Sequence, residues 1–181
     1  MSAQSVPKLL SVEEYERTPD PPGGRYELHH GELVFVTYPV RQHKVLQRRL
    51  REMLEALAKP RGFLVDTEYP YRPLPKSEVW GADVACVAQA RDDDTEKWLM
   101  GSPELVIEVK SPSNTKDELH DRAMTTLAGD GAVEFWIVDP KTTTVAVYSK
   151  TAGVHLYRTP ATLPVPFMEA SIPLDRLFAA I

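Results

Sequence analysis

A single cysteine, Cys86, is all this chain contains, which excludes an intrachain disulfide framework and any zinc centre built on several thiolates. Its setting, Ala85-Cys86-Val87-Ala88, is an apolar run in which a small buried side chain is the ordinary occupant. Excess positive charge is also missing. The formal net charge is -5, so the chain is not one that coats nucleic acid through bulk basicity, and any phosphate binding must be local. No apolar run approaches the length of a bilayer span, and the first ten residues lack the apolar core of a signal peptide. The expected location is therefore the cytoplasm, without membrane contact. No Gly-x-Ser-x-Gly elbow occurs, which leaves a serine hydrolase without its usual motif, and neither internal repeats nor low-complexity tracts are visible.

What the chain does have is enough apolar residue for one real core. With 181 residues and 43% hydrophobic types, it is expected to form one domain over residues 1-181. Ser11-Val12-Glu13-Glu14 has the form of a capping box and predicts a short helix over 11–17. The turn-rich segment Thr18 to Gly24 then leads into a hairpin, 25–28 and 33–38, with His30-Gly31 at its turn. A long helix is predicted over 41–59, because Leu46, Leu50, Met53, Leu54 and Leu57 recur at three- and four-residue steps and Pro60 and Gly62 stop it. Its opposite side carries a basic stripe of Arg41, Lys44, Arg48 and Arg51. That stripe reads as a solvated charged face or as a partner-binding one.

Strands are predicted over 63–69, 82–88, 104–110 and 133–138, a loop over 89–97, a helix over 116–128, an antiparallel pair over 143–148 and 154–157, and a closing helix over 174–180. Helices interspersed among more numerous strands indicate an α/β mixed sheet.

The chemistry concentrates in Glu104-Leu105-Val106-Ile107-Glu108-Val109-Lys110. Strand alternation puts Val106, Glu108 and Lys110 on one face and Leu105, Ile107 and Val109 on the other, so Glu108 and Lys110 are expected side by side. Asp83 lies in the preceding strand, with Ala85 and Val87 expected on its face, and reaches Glu108 if the strands are neighbours. Two carboxylates at one place need a cation between them. Mg²⁺ or Mn²⁺ would suit Asp83, Glu108 and a main-chain carbonyl, that of Val109, with Lys110 orienting a water or stabilising charge on a phosphate. Spacing alone leaves open both this site and a salt bridge on a sheet surface. Asp139-Pro140-Lys141 is a second acid-x-Lys and reads as a turn.

Several blocks resemble the Uma2 family (DUF820) of restriction-endonuclease-like proteins, common in bacteria. They are Tyr26-Glu27-Leu28-His29-His30-Gly31-Glu32-Leu33, His43 opening the long helix, Ala82-Asp83-Val84, Pro103 to Ser113, Val133 to Pro140, and Ile172 to Phe178. The resemblance spans nearly the whole chain. It implies a PD-(D/E)xK core, a mixed sheet flanked by helices with additional hairpins, in which Asp83, Glu108 and Lys110 are the motif residues of a divalent-metal-dependent nuclease. Glu27 and His43 match further positions implied to line the site, and the helical wheel turns His43 inward with Leu46 and Leu50. Nucleic acid is the implied partner, DNA before RNA, and a homodimer is allowed because many nucleases of this fold cut two strands. Two places depart from the family, one before the aspartate and one in the helix after Ser111-Pro112-Ser113. Ala82 replaces the usual proline, and Arg122 stands where the family carries lysine, with Thr126 or Leu127 in place of a tyrosine before Gly131-Ala132-Val133; arginine keeps the charge but cannot act as a base. A non-catalytic binding or assembly module on the same fold is the competing expectation.

Overall fold

The structure is a computed structural model that describes residues 9–93 and 96–180. In chain order its elements are α1 (Val12–Glu16), β1 (Gly24–His29), β2 (Glu32–Thr37), α2 (Arg41–Ala58), β3 (Phe63–Arg72), β4 (Trp80–Ala88), β5 (Leu99–Met100), β6 (Leu105–Val109), α3 (Lys116–Ala128), β7 (Glu134–Asp139), β8 (Thr144–Ser149), β9 (Gly153–Arg158), β10 (Thr162–Val165), β11 (Ala170–Pro173) and α4 (Leu174–Leu177). The expected capping box is present at α1, where the Ser11 hydroxyl accepts from the Glu14 amide and the Glu14 carboxylate from the Ser11 amide. A second box, Thr115 with Glu118, starts α3. At the tip of the β1–β2 hairpin His30 and Gly31 both take positive φ, +51° and +83°, the backbone a tight two-residue turn requires.

Seven strands form the central sheet in the order β5-β3-β4-β6-β7-β8-β9. It is mixed as expected. β4 runs antiparallel to β6, and β6 runs parallel to β7, the latter pair joined through α3 as parallel neighbours require. The two faces carry different cores. On one, Leu46, Leu50 and Leu54 of α2, all fully buried, pack with Val84, Cys86, Leu105, Ile107 and Val109. On the other, Ala123 and Leu127 of α3 pack with Ala85, Val87, Val106 and Phe135. Burial of each such leucine contributes about 1.5–3 kcal/mol, so α2 is fixed on its face.

Several boundaries differ from expectation. β3 runs on through Pro70 to Arg72, which is possible because β5 pairs with it only at Tyr71 and Arg72, leaving Pro70 facing an open edge. β5 and the β10–β11 hairpin were not expected; each strand is too short to show a period. α4 is one turn, ending at Leu177 rather than at Ala180. Of the expected loop 89–97, residues 94 and 95 lie outside the described residues, as does most of the amino-terminal segment. No helix of the described residues is long and apolar enough to cross a membrane.

Candidate functional site

The β1–β2 hairpin is a separate small sheet, but a bridge joins it to the central one. Leu28 and Val79 exchange amide-to-carbonyl bonds of 2.9 Å in both directions, and the Trp80 indole donates to the Leu28 carbonyl at 3.0 Å. Alternation from Leu28 then directs Glu27 toward β4, where its carboxylate accepts from the Gly81 amide at 3.0 Å. Glycine at 81 leaves room for this arrangement: a Cβ there would stand 2.5 Å from an Arg25 guanidinium nitrogen and 3.3 Å from the Glu27 carboxylate.

Asp83 and Glu108 come together because their strands are neighbours. The β4–β6 ladder pairs Val84 with Ile107, which sets Asp83 beside the Glu108-Val109 end of β6, and the Val109 amide donates to Asp83 Oδ2 at 2.7 Å. One expectation about Asp83 fails. It does not share a face with Ala85 and Val87; Ala82 joins those two in the core on the α3 side, while Asp83 Oδ1 accepts from Gln47 of α2 at 3.0 Å. The adjoining strand is irregular at the same point: Glu68, opposite Asp83 between the Thr67–Val84 and Tyr69–Ala82 pairs, takes φ +53°.

His43 points inward as the helical wheel predicts, 13% exposed, with Nε2 2.9 Å from Asp83 Oδ1. The approach is off the hydrogen-bonding direction, and that nitrogen is buried without a hydrogen-bond partner. Gln47 also donates to Glu68 at 2.6 Å.

Lys110 follows Val109, the last residue of β6; its amide still donates to the Val138 carbonyl of β7 at 2.8 Å, and its ammonium donates to Asp139 Oδ2 at 3.1 Å. Asp139 therefore does more than close a turn, although it also accepts from the amides of Lys141 and Thr142. Burial raises its pKa, but Lys110 and those amides outweigh this and hold it below the ordinary value.

The cation that meets Glu108 is Arg122. Its guanidinium lies 3.1 Å from Glu108, donates to Glu27 at 2.9 Å and to the Gly81 carbonyl at 2.7 Å, and stacks over Trp80 at 5.1 Å. Glu27 is further paired with His29 at 2.9 Å and Arg25 at 3.3 Å. Burial works against ionising Glu27, yet Arg122, His29 and Arg25 more than offset it and hold the acid well below the carboxylate range. Glu108 goes the other way. Burial, together with the charges of Asp83, Glu27 and Glu68, pushes it well above its ordinary value, and Arg122 offsets only part. Glu108 Oε1 and Arg122 Nε are both buried without a hydrogen bond.

The site thus gathers Asp83, Glu108, Glu27 and His43, holds Lys110 at its end on Asp139, and adds Gln47, Glu68, Arg25 and Arg122. Arg122 stood out in the sequence only as a substitution for lysine. For Gln47 and Glu68 there was no signal: one is a polar residue inside an apolar helix face, the other an ordinary strand glutamate.

Comparison with known proteins agrees with this architecture. Residues 12–175 match the Uma2 family, described as "Putative restriction endonuclease". The fold is that of a crystallised "putative nuclease belonging to DUF820" from Anabaena variabilis ATCC 29413, at a TM-score of 0.80 and 19% identity, over 94% of this chain and 98% of that one. No curated protein matches. The family match covers most of the chain and includes both acidic strands, and the chain belongs to the Uma2 family of restriction-endonuclease-like proteins.

Proposed function

We propose that this protein is a divalent-metal-dependent nuclease, acting as one domain, that hydrolyses phosphodiester bonds at Asp83, Glu108 and Lys110, with Glu27 and His43 lining the site. One observation carries the reading: Glu108 is a largely buried acid whose Oε1 has the Arg122 guanidinium at 3.1 Å but no hydrogen bond, beside a second acid on the neighbouring strand. Leaving such a group without full compensation costs stability, and a cation would supply what Arg122 does not.

The donor set suits a hard cation. Among the described residues no group of three or more His, Cys, Asp or Glu side chains is placed to hold a metal ion, which disfavours a closed protein cage. Mg²⁺ and Mn²⁺ do not need one, since they commonly take one or two carboxylates and keep several waters. Asp83, Glu108 and the Val109 carbonyl would hold the ion, and when bound it supplies neutralising charge to a phosphate and acidifies a water.

The side chains have separate tasks. Gln47 and the Val109 amide fix the Asp83 carboxylate, leaving lone pairs free on both oxygens. Lys110, 30% exposed on a flexible stem, swings from Asp139 to a phosphate oxygen or to the attacking water. Glu27 anchors Arg122, whose remaining charge is directed at Glu108. Polynucleotide is the substrate class this chemistry fits, DNA before RNA. Nicking of plasmid that requires Mg²⁺ or Mn²⁺ and disappears in Asp83→Ala supports the reading; equal cleavage by wild type and variant removes it.

A second reading is favoured by Arg122 itself. Its guanidinium already bridges Glu27 and Glu108, so the fold can hold its acids without a metal, as a non-catalytic binding module would. Absence of nicking with any divalent ion and any polynucleotide supports this alternative.

A further inference from the structure

Beside the acidic site runs a groove of about 410 Å³ whose lining includes Arg25, Tyr38, Lys44, Gln47, Arg48, Arg51 and Glu68. Three of the four residues in the basic stripe of α2 line it, and with Gln47 they fall at the i, i+3, i+4 and i+7 positions that make one helix face. We propose that this groove binds an unpaired polynucleotide strand, with Lys44, Arg48 and Arg51 on successive phosphates and Tyr38 stacked on a base.

The charge there is unspent. Arg48 has only Glu52 at 3.9 Å, both side chains about two-thirds exposed, an arrangement of little energetic weight. No ion pair engages Lys44 or Arg51 among the described residues. Arg25 is already paired with Glu68 and Glu27, so the free charge of the groove is that of Lys44, Arg48 and Arg51, in a chain whose net charge is -5. Tyr38, at the mouth of α2, is 65% exposed. A large aromatic kept in water beside a row of cations is what a sequence-tolerant single-strand site uses, the cations following the backbone and the ring giving a base its stacking partner.

The shape selects the strand. Reading a duplex calls for an element that projects into its groove, and here the feature is concave, with a volume in the range of sites that enclose one small ligand. Its inner wall leads to the chemistry: Gln47 and Glu68 line the groove, and Gln47 donates to both Glu68 and Asp83. A strand lying on the cations is thereby delivered to the acidic pair, and in this respect the inference rests on the nuclease reading.

The test is fluorescence anisotropy with a fluorescein-labelled 12-nucleotide single strand, in DNA and RNA forms, against the 12-base-pair duplex, all in EDTA so that nothing is cut. Single strand is expected to bind more tightly than duplex. Three phosphate contacts predict roughly a 20-fold loss of affinity between 50 and 200 mM salt. Lys44→Ala/Arg51→Ala is expected to weaken binding about 10-fold or more at low salt and to reduce the logarithmic salt slope by about 1.4. Tyr38→Ala is expected to cost the single strand about 5-fold or more and the duplex nothing. Duplex binding as tight as single-strand binding, or an unchanged affinity in Lys44→Ala/Arg51→Ala, overturns the proposal. The same preparations are assayed for Mn²⁺-dependent cleavage of the single strands and nicking of plasmid. Cleavage without groove binding overturns the groove and leaves the nuclease reading intact, whereas groove binding without cleavage of either substrate supports the groove and removes the nuclease reading.

Discussion

The Arg122 guanidinium lies 3.1 Å from the Glu108 carboxylate, and the two side chains, each only 13% exposed, have opposite fates. Burial disfavours charge on both. The acids beside it raise the pKa of Arg122 above its ordinary value; at Glu108 burial is the largest effect and, with the charges of Asp83, Glu27 and Glu68, outweighs Arg122 and raises its pKa. Arg122 is thus the internal counter-ion on which the acidic site depends.

Removing it should be costly. Arg122→Ala leaves Glu27 and Glu108 buried without their shared partner, and a loss of about 3–5 kcal/mol is expected. Arg122→Lys restores the charge but neither the fork that spans Glu27, Glu108 and the Gly81 carbonyl nor the plane that stacks on Trp80, so its loss should be intermediate. Urea unfolding of the two variants checks the order, and equal stability of Arg122→Ala and wild type contradicts it.

Gly81→Ala tests the same cluster from the backbone side. The added methyl group would meet the Arg25 guanidinium, which cannot simply move away because Glu68 and Glu27 both hold it. A destabilisation of about 1–3 kcal/mol is expected, as for other overpacked positions. A crystal structure of the variant should show Arg25 withdrawn from Glu27.

Much of this was legible in the sequence. The leucine spacing of α2, the two acid-bearing strands and the hairpin at His30-Gly31 all stand where periodicity and turn chemistry put them. What was not legible depended on interactions between strands. Asp83 turns toward α2 where Glu68, opposite it on the adjoining strand, takes a left-handed backbone. Lys110 pairs with Asp139, 29 residues later at the end of β7. Arg122 reaches Glu108 only through the packing of α3 against the sheet, which no local pattern encodes.

His30 gives stability a defined pH dependence. Its ring is paired with Glu78 at 2.9 Å and Asp121 at 3.0 Å, and the bond to Asp121 is the largest cause of a pKa raised above 6.5. A base raised on folding contributes its full stabilisation below the unfolded value and loses it as pH rises through the folded one. The stability difference between wild type and His30→Asn, a residue that tolerates the left-handed backbone there, should therefore shrink as pH rises above 6.5. A difference independent of pH contradicts the assignment.

Cys86 should be inert in the native protein. It is fully buried, and burial, aided by the charge of Glu104, pushes its thiol up to about 12. The thiolate is the reactive species, so a disulfide reagent at pH 8 should leave folded protein unmodified and titrate one thiol per chain in guanidinium. Rapid reaction under native conditions would show the β4 core to be open.

Calorimetric titration of Mn²⁺ into wild type, Asp83→Asn and Glu108→Gln tests the acidic pair as a metal site most directly. Saturable binding by wild type, weakened about 10-fold or more in each variant, is the predicted result. No binding to wild type, or equal binding by all three proteins, contradicts it.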